Sequence, residues 1–150
     1  MTTAIRLIAL GRKISNLYAD LSAPLLREYG MNRTCFDVLM FCANQPEHNT
    51  ARDLCKMRGL KSGIASVAVE TLIAGGYLTR TPDAADRRKH RLVPTGKAAD
   101  PIRAGREMQA TFTDALRAGI TPEELHALER LTDTLEENLT RMGRGETVSC

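Results

Sequence analysis

The sequence predicts a mainly α-helical fold with one short β-hairpin. Three observations support this prediction: leucine-rich stripes with helical spacing at both ends of the chain, two short helices around a glycine turn in its middle, and a strand-like pattern directly after them. The 150 residues are about the length of one domain, and 43% of them are hydrophobic, which is enough for a globular core. We therefore expect a single domain over residues 1–150.

Long helices are predicted at both ends of the chain. Pro24 is expected to kink or interrupt the first helix near its end. The last helix is expected to begin at Thr121 and end at Gly143, because threonine is a good N-cap, Pro122 suits the first helical position and glycine ends helices. A third long helix is expected over about 96–118. The two terminal stripes consist of Leu7, Leu10, Ile14, Leu17 and Leu21, and of Leu125, Leu128, Leu131, Leu135, Leu139 and Met142.

Two short helices in the middle of the chain are predicted to form a helix-turn-helix, after a preceding helix over 33–43. The stretch from Thr50 to Asp53 has the form of a capping box and begins the first helix of the pair. Gly59 permits a tight turn, and the second helix covers 61–74. The residues expected on its inward face are Ala65, Ala68, Val69 and Leu72.

A β-hairpin is predicted directly after the second helix. Residues 77–80 and 90–93 have a strand-like pattern, and Pro82 with a polar, charged run over 83–89 lies between them. A helix-turn-helix followed by a basic hairpin is typical of a winged helix-turn-helix, in which the hairpin forms the wing.

Positive charge is concentrated in the middle of the chain. Residues 48–97 contain ten Lys or Arg and four Asp or Glu, whereas the rest of the chain contains 11 basic and 14 acidic residues. A basic segment between acidic flanks indicates a surface that binds a polyanion. On charge alone, an ordinary solvated basic surface is the alternative.

Double-stranded DNA is the polyanion that a winged helix-turn-helix would bind. The second helix of the pair would enter the major groove, where serine contacts more than one base and valine contacts the thymine methyl group. The cations of the wing tip suit the minor groove, and Asp86 is expected to pair with a neighbouring arginine. A solvated helix face and a solvated charged turn are the alternatives. The candidate DNA-binding residues are Thr50, Lys61, Ser62, Gly63, Ser66 and Val67 on the helix-turn-helix, and Asp86, Arg87, Arg88, Lys89 and Arg91 on the wing.

The hairpin resembles the wing motif of the multiple-antibiotic-resistance regulator (MarR) family of bacterial transcription factors. The similar residues run from Asp86-Arg87-Arg88 to Leu92 and on to Gly96. The resemblance covers about residues 7–142. Val93 departs from it, because it stands where the family usually has the threonine that caps the next helix. Val67 also departs from it, because an arginine or another polar residue is common there. Further similar stretches are 50–54, 72–80 and 120–125.

The resemblance implies a homodimer that represses transcription from a pseudo-palindromic operator until a ligand releases it. The leucine stripes alone leave open whether they pack within one chain or across this dimer. Small aromatic or phenolic acids would bind between the dimerisation helices and the winged region, although core packing explains each candidate lining residue equally well. The implied regions are dimerisation helices over about 1–30 and 97–142, a winged DNA-binding region over about 31–96 and a flexible tail over 143–150. The candidate lining residues are Tyr18, Tyr29 and Phe36.

Several other classes of function are disfavoured. No spacing of His, Cys or acidic residues indicates a metal site, no nucleophile or phosphate-loop motif indicates an enzyme, and no cofactor is expected. The longest apolar run, 38–43, is far shorter than the roughly 20 residues that span a bilayer, and no secretory signal is visible, so we expect a cytoplasmic protein without a membrane partner.

Two alternatives to a ligand-responsive regulator remain open. One is a winged helix that serves as a protein-interaction or antitoxin-like module, which the small, mostly uncharged side chains around Val67 favour. The other is a thiol-based redox-sensing regulator, in which Cys42 or Cys55 reacts because a cation lies nearby.

Overall fold

The computed structural model describes residues 2–145 and has the mainly helical fold with one hairpin that the sequence predicts. Two strands form an antiparallel sheet, and the last five residues of the predicted flexible tail lie outside the described residues. In chain order the elements are α1 (Thr3–Tyr29), α2 (Arg33–Asn44), α3 (Ala51–Arg58), α4 (Ser62–Ala74), β1 (Leu78–Pro82), β2 (His90–Pro94), a 3₁₀ helix (Gly96–Ala98), α5 (Ala99–Arg117) and α6 (Pro122–Gly143).

The described residues form two compact units, which divide between Ala110 and Thr111 within α5. The first unit contains α1 to α4, the hairpin and most of α5. The second contains the end of α5 and all of α6, and no residue of α6 is buried. In the second unit, Thr121 is the N-cap of α6 and Pro122 is its first helical residue, as predicted, and Glu124 completes a capping box with Thr121.

The core of the first unit is built around α2. Elements on several sides pack against it, and four of them each contribute one leucine that is at most 1% exposed. Burial of such a side chain contributes about 1.5–3 kcal/mol. This core therefore holds the helix-turn-helix and the hairpin together. The α2 residues that are at most 2% exposed are Cys35, Phe36, Val38, Leu39, Met40 and Cys42, and the surrounding leucines are Leu54, Leu72, Leu78 and Leu92.

The helix-turn-helix forms as predicted. The Oγ1 atom of Thr50 accepts a hydrogen bond from Asp53 N at 3.2 Å, and Asp53 Oδ2 accepts one from Thr50 N at 3.1 Å, so the capping box is complete. Gly59 ends α3 with φ 63°, a left-handed conformation that glycine adopts without strain. The four residues predicted to face inward from α4 are those that it buries.

The first helix is not interrupted at Pro24, so of the two predicted effects, a kink or an interruption, the second is wrong. α1 continues through Pro24 to Tyr29. Proline removes one hydrogen-bond donor, but the following turn is secured in two ways. Gly30 adopts a left-handed conformation and its N–H donates to Leu26 O, and Leu26 also packs against the core. The cap and the packing together outweigh the single lost bond.

The strands of the hairpin are longer than predicted, and β2 is hydrogen-bonded to the segment before α3. β1 includes Pro82, which pairs with His90 instead of lying in the loop. β2 has a second neighbour, because Leu92 N donates to Asn49 O at 2.9 Å. β1 is therefore the edge strand, where a missing N–H is tolerated.

Gly105 lies where α5 packs closely against α2. A Cβ atom at this position would lie 2.5 Å from Met40 Sδ and 3.1 Å from Phe36 Cζ. Both neighbours belong to the buried core. Glycine at this position therefore allows α5 to pack directly on α2.

We expect Gly105→Ala to lower the free energy of unfolding by about 1–3 kcal/mol, because buried side chains must shift to make room for the methyl group. Gly63→Ala is the matched control, since an added Cβ there meets nothing within 4 Å. The control should be neutral or stabilising by up to about 1 kcal/mol. Urea unfolding of both variants measures the difference, and equal free energies of unfolding would contradict the close packing.

Candidate nucleic-acid interface

One side of α4 is exposed to solvent, as expected for a helix that contacts bases in the major groove. Its N-cap Lys61 and the residues Ser62, Gly63, Ser66 and Val67 are all exposed, and Val67, at 68%, is the most exposed large hydrophobic residue among residues 2–145. The opposite side of the helix is buried in the core. α4 is thus held by one side while the other remains accessible.

Two polar side chains on α4 are already engaged within the protein. The Glu70 carboxylate forms an ion pair with Arg80 of β1. The Thr71 hydroxyl donates to the backbone carbonyl of Val67 at 2.8 Å. The hydroxyl groups that remain on this side of α4 are those of Ser62 and Ser66.

The tip of the wing is exposed and positively charged. The Nε atom of Arg88 donates to Asp86 Oδ1 at 3.3 Å, so the predicted pair between Asp86 and an arginine is present. The side chain of Arg88 is nevertheless 92% exposed, and Arg87 and Lys89 are exposed too. An exposed pair of this kind contributes little stability, so its effect is to orient the guanidinium group.

Arg91 lies at the base of the wing and is bound by the protein itself. Its Nε atom donates to Asp83 Oδ2 at 2.6 Å, and its Nη1 atom donates to Pro46 O at 2.9 Å and to Asn49 Oδ1 at 3.4 Å. These bonds fasten β2 to the segment between α2 and α3. A contact between Arg91 and DNA stays a prediction that would use its other N–H groups.

Asp83 is a residue of the wing that the sequence analysis missed. Its Oδ1 atom accepts from Ala85 N at 2.8 Å and from Asp86 N at 3.1 Å, and these bonds shape the turn toward the tip. The two backbone donors and Arg91 hold the pKa of the Asp83 carboxyl below its usual value. One signal for this turn was present, because an aspartate directly after a proline favours turn formation.

Two neighbouring clefts connect the wing with α4. The first, of about 500 Å³, lies between the start of α3 and the hairpin, and the second, of about 380 Å³, lies between α3 and α4. Arg52 and Arg80 line both clefts, so the wing and the exposed side of α4 border one continuous surface. Five basic and three acidic side chains line it, so the surface is basic on balance. The first cleft is also lined by Thr50, Arg88, Lys89 and Arg91, and the second by Ser62 and Ser66.

Two of the candidate effector residues, Phe36 and Tyr29, contact other residues of the protein. Phe36 belongs to the core and is 1% exposed. The Tyr29 hydroxyl donates to Asp100 Oδ2 at 3.4 Å, and partial burial together with this carboxylate raises the pKa of the phenol. Core packing, the stated alternative to a ligand-lining role, therefore accounts for Phe36.

Tyr18 links α1 to α5. Its hydroxyl accepts from Gln109 Nε2 at 2.8 Å, and the guanidinium carbon of Arg33 lies 4.8 Å from its ring centroid. Gln109 also lines a small cleft of about 160 Å³. The other polar residues around that cleft include Asp37, Asn44, Gln45 and Arg58.

The cysteines differ in accessibility. Cys35 and Cys42 are core residues, and burial raises the pKa of both thiols, for Cys42 to about 12. Such thiols remain protonated and unreactive at neutral pH. Cys55 is half-buried and lines the cleft between α3 and α4, and Cys150 lies outside the described residues. Within residues 2–145, the thiol-switch alternative therefore depends on Cys55.

Neither a metal-binding cluster nor a membrane-spanning helix is present in the described part of the chain. Over residues 2–145, no group of three or more His, Cys, Asp or Glu side chains is arranged to hold a metal ion. No helix within the same residues has the length and apolar character needed to cross a membrane.

The fold and this surface define a winged helix-turn-helix protein with long flanking helices. Residues 29–89, which contain α2, the helix-turn-helix and the first part of the wing, match the sequence model of the MarR family. The resemblance noted in the sequence is thereby confirmed over residues 29–89. No curated protein sequence matches the chain.

Solved structures with the same fold cover most of the chain. A MarR protein from Peptoclostridium difficile has a TM-score of 0.72 at 19% identity, over 92% of this chain and 88% of that chain. The transcription regulator MarR from Oenococcus oeni PSU-1 has a TM-score of 0.71 at 20% identity, over 88% and 97%. The S. aureus MepR–DNA complex has a TM-score of 0.71 at 18% identity, over 87% and 94%.

We expect two substitutions at Asp83 to separate its contacts. Asp83→Asn keeps an oxygen for the bonds from Ala85 and Asp86 but removes the charge that holds Arg91, so amide hydrogen exchange should accelerate chiefly at the base of the wing. Asp83→Ala should also release the turn and lower the thermal midpoint further. Asp86→Asn is the control, because it removes only the exposed pair with Arg88 and should leave the base protected.

The same contacts predict a dependence on pH. Since the pKa of Asp83 is lowered in the folded protein, its ionised form stabilises the wing above the usual aspartate pKa of about 3.9, and this contribution is lost as the pH falls through the lowered value. Wild-type protection at the wing should therefore decrease on acidification, while that of Asp83→Asn should change less. Identical pH profiles would contradict the assignment.

Proposed function

We propose that this protein is a sequence-specific DNA-binding transcription regulator that acts as a homodimer on a pseudo-palindromic operator. The observation that carries the proposal is the continuous surface on which Arg52 and Arg80 join the cleft of the wing to the cleft of α4. The fold shared with S. aureus MepR, which was solved as a DNA complex, supports the same role.

Two kinds of contact would hold the DNA. The exposed cations Arg87, Arg88 and Lys89 are suited to phosphates or to the narrow minor groove, where they add affinity that depends little on sequence. α4 would supply the contacts to base edges in the major groove. Because Arg91 fastens the wing to the segment before α3, both elements would approach the DNA in a fixed relation.

The homodimer is proposed from two exposed apolar stripes, one in each unit of the chain. In α1, Leu10 is 53% and Leu17 is 48% exposed; in α6, Leu128 is 50% and Leu135 is 43% exposed. Large exposed apolar surfaces on a regular helix face indicate a protein interface, and a symmetric dimer is the commonest way to cover them. The dimerisation helices would be about 1–30 and 97–142, around a DNA-binding region over about 31–96.

A winged protein-interaction module is the second candidate, because Ile64 and Val67 give α4 an exposed apolar character that would also suit a protein partner.

A gel shift with the DNA beside the protein's own gene separates the two candidates. Binding that weakens with salt supports the regulator. Failure to shift any duplex at low salt would overturn it.

We expect Arg88→Ala to weaken binding to all duplexes and to reduce the slope of log affinity against log salt by about two, one for each subunit. Fluorescence anisotropy at several salt concentrations measures this slope. Arg103→Ala is the charge-matched control on α5, where the arginine is bound to Asp100 and Glu107, and it should leave the slope unchanged. Wild-type affinity and slope in Arg88→Ala would mean that the wing does not touch DNA.

We expect Leu135→Glu to prevent dimerisation, because a carboxylate in an apolar interface remains unpaired and desolvated. An interface of this kind resembles a core cut in half, so the variant should be poorly folded and not a stable monomer. Sedimentation equilibrium with circular dichroism tests this. Met57→Glu is the control, since Met57 is 50% exposed on α3, and it should stay dimeric. A folded wild-type monomer at micromolar concentration would contradict the dimer.

Ligand-responsive repression is part of the same proposal. A ligand releases DNA only if it binds better to a form in which the two α4 helices no longer match half-sites about 34 Å apart. A small aromatic or phenolic acid near Tyr18, where α1, α2 and α5 meet through Gln109 and Asn44, would be placed to bias that spacing.

We expect salicylate to dissociate the protein–DNA complex and diamide, a thiol oxidant, to leave it intact, because Cys35 and Cys42 are buried with raised thiol pKa values and Cys55, the other described thiol, is half-buried. Fluorescence anisotropy of the complex follows both titrations. Release by diamide that is lost in Cys55→Ser would instead place the switch at that thiol. Release by neither compound would contradict this prediction and would leave the effector unidentified.

A further inference from the structure

We infer that Val67 is a specificity-determining residue that selects thymine, through its 5-methyl group, at one position in each half-site of the operator. The inference rests on the proposed function, because it requires that α4 enters the major groove. It adds the chemical identity of the base that this helix would prefer.

The geometry of α4 places Val67 at the centre of its exposed side. Gly63 lies one turn earlier on the same face, since residues four apart in a helix lie one above the other. An added Cβ at Gly63 would meet nothing within 4 Å, and Val67 is 68% exposed. The helix backbone is thus able to approach a surface closely at Gly63, with the branched side chain of Val67 as the group that projects beside it.

Within α4 itself the polar side chains leave little other means of discrimination, and the exposed N-cap Lys61, just before it, is suited to phosphate as well as to guanine. The 13 residues from Ser62 to Ala74 include no Arg, Lys, Asn or Gln, which are the side chains that bind guanine or adenine in bidentate fashion. Glu70 is engaged by Arg80, and the Thr71 hydroxyl is bonded to the carbonyl of Val67. The hydroxyls of Ser62 and Ser66 both donate and accept, so they fit more than one base.

An aliphatic side chain in the major groove distinguishes bases by a methyl group. Among the four bases of DNA, thymine alone presents one there. Removal of a buried methyl group weakens binding roughly fourfold, the equivalent of about 0.8 kcal/mol. A symmetric operator with one such contact in each half-site would lose about fifteenfold in affinity on loss of both methyl groups.

The experiment begins with duplexes that the wild-type protein selects from a random library at low salt. We expect a thymine at one fixed position in each half-site. Replacing both thymines by deoxyuridine removes only the methyl groups and should weaken binding about fifteenfold. Deoxyuridine at thymines elsewhere in the duplex should have no effect.

Two variants test whether Val67 causes this difference. Val67→Ala should bind the thymine and deoxyuridine duplexes with nearly equal affinity, and because Val67 is exposed the variant should fold normally. Met57→Ala, which shortens an exposed apolar side chain on α3, is the control and should retain the difference. Circular dichroism confirms folding of both variants.

The outcomes separate this inference from the function on which it rests. If the selected duplex is bound but no deoxyuridine substitution weakens binding, or if Val67→Ala keeps the wild-type preference for thymine, the selection by Val67 is overturned and the DNA-binding function stands. If no duplex is enriched or bound at low salt, both are overturned.

Discussion

The burial of α2 on nearly all sides is the constraint on which the rest of this structure depends. A single neighbouring helix would cover only one face of α2. Side chains from segments that are far apart in the sequence therefore pack around α2 to bury it. Leu26 comes from α1, Leu72 from α4, Leu92 from β2 and Ile102 from α5. Burial of this magnitude stabilises by tens of kcal/mol before the loss of chain entropy is counted. The helix-turn-helix and the hairpin are consequently attached to the same rigid body.

Local signals were sufficient to predict most elements of the fold. The capping box at Thr50 depends on residues three positions apart, the N-cap at Thr121 depends on its neighbour Pro122, and the inward face of α4 depends on helical periodicity. Pro24 shows the limit of such reasoning, because the left-handed cap at Gly30 and tertiary packing preserve a turn that the local rule would break. Propensity is a weak prior wherever packing supplies a larger free energy.

The candidate site was predicted less completely than the fold. The cations of the wing and the exposed residues of α4 were identified from charge and periodicity. The bonds from Arg91 to Pro46 and Asn49 join residues more than forty positions apart, and no periodicity or motif indicates such a pairing. Sequence alone therefore treated Arg88 and Arg91 alike. The structure separates them: the side chain of Arg88 is 92% exposed and that of Arg91 is 34% exposed.

The close approach at Gly105 also limits how a protein with this packing diverges in evolution. A side chain at position 105 and a long side chain at position 40 compete for the same volume, since the Cβ position lies 2.5 Å from Met40 Sδ. Shortening residue 40 first would leave a cavity that costs about 2–5 kcal/mol, whereas enlarging residue 105 first costs about 1–3 kcal/mol. The two positions should therefore covary among homologues, with glycine opposite a long residue or alanine opposite a short one, and enlargement at position 105 is the less costly first step.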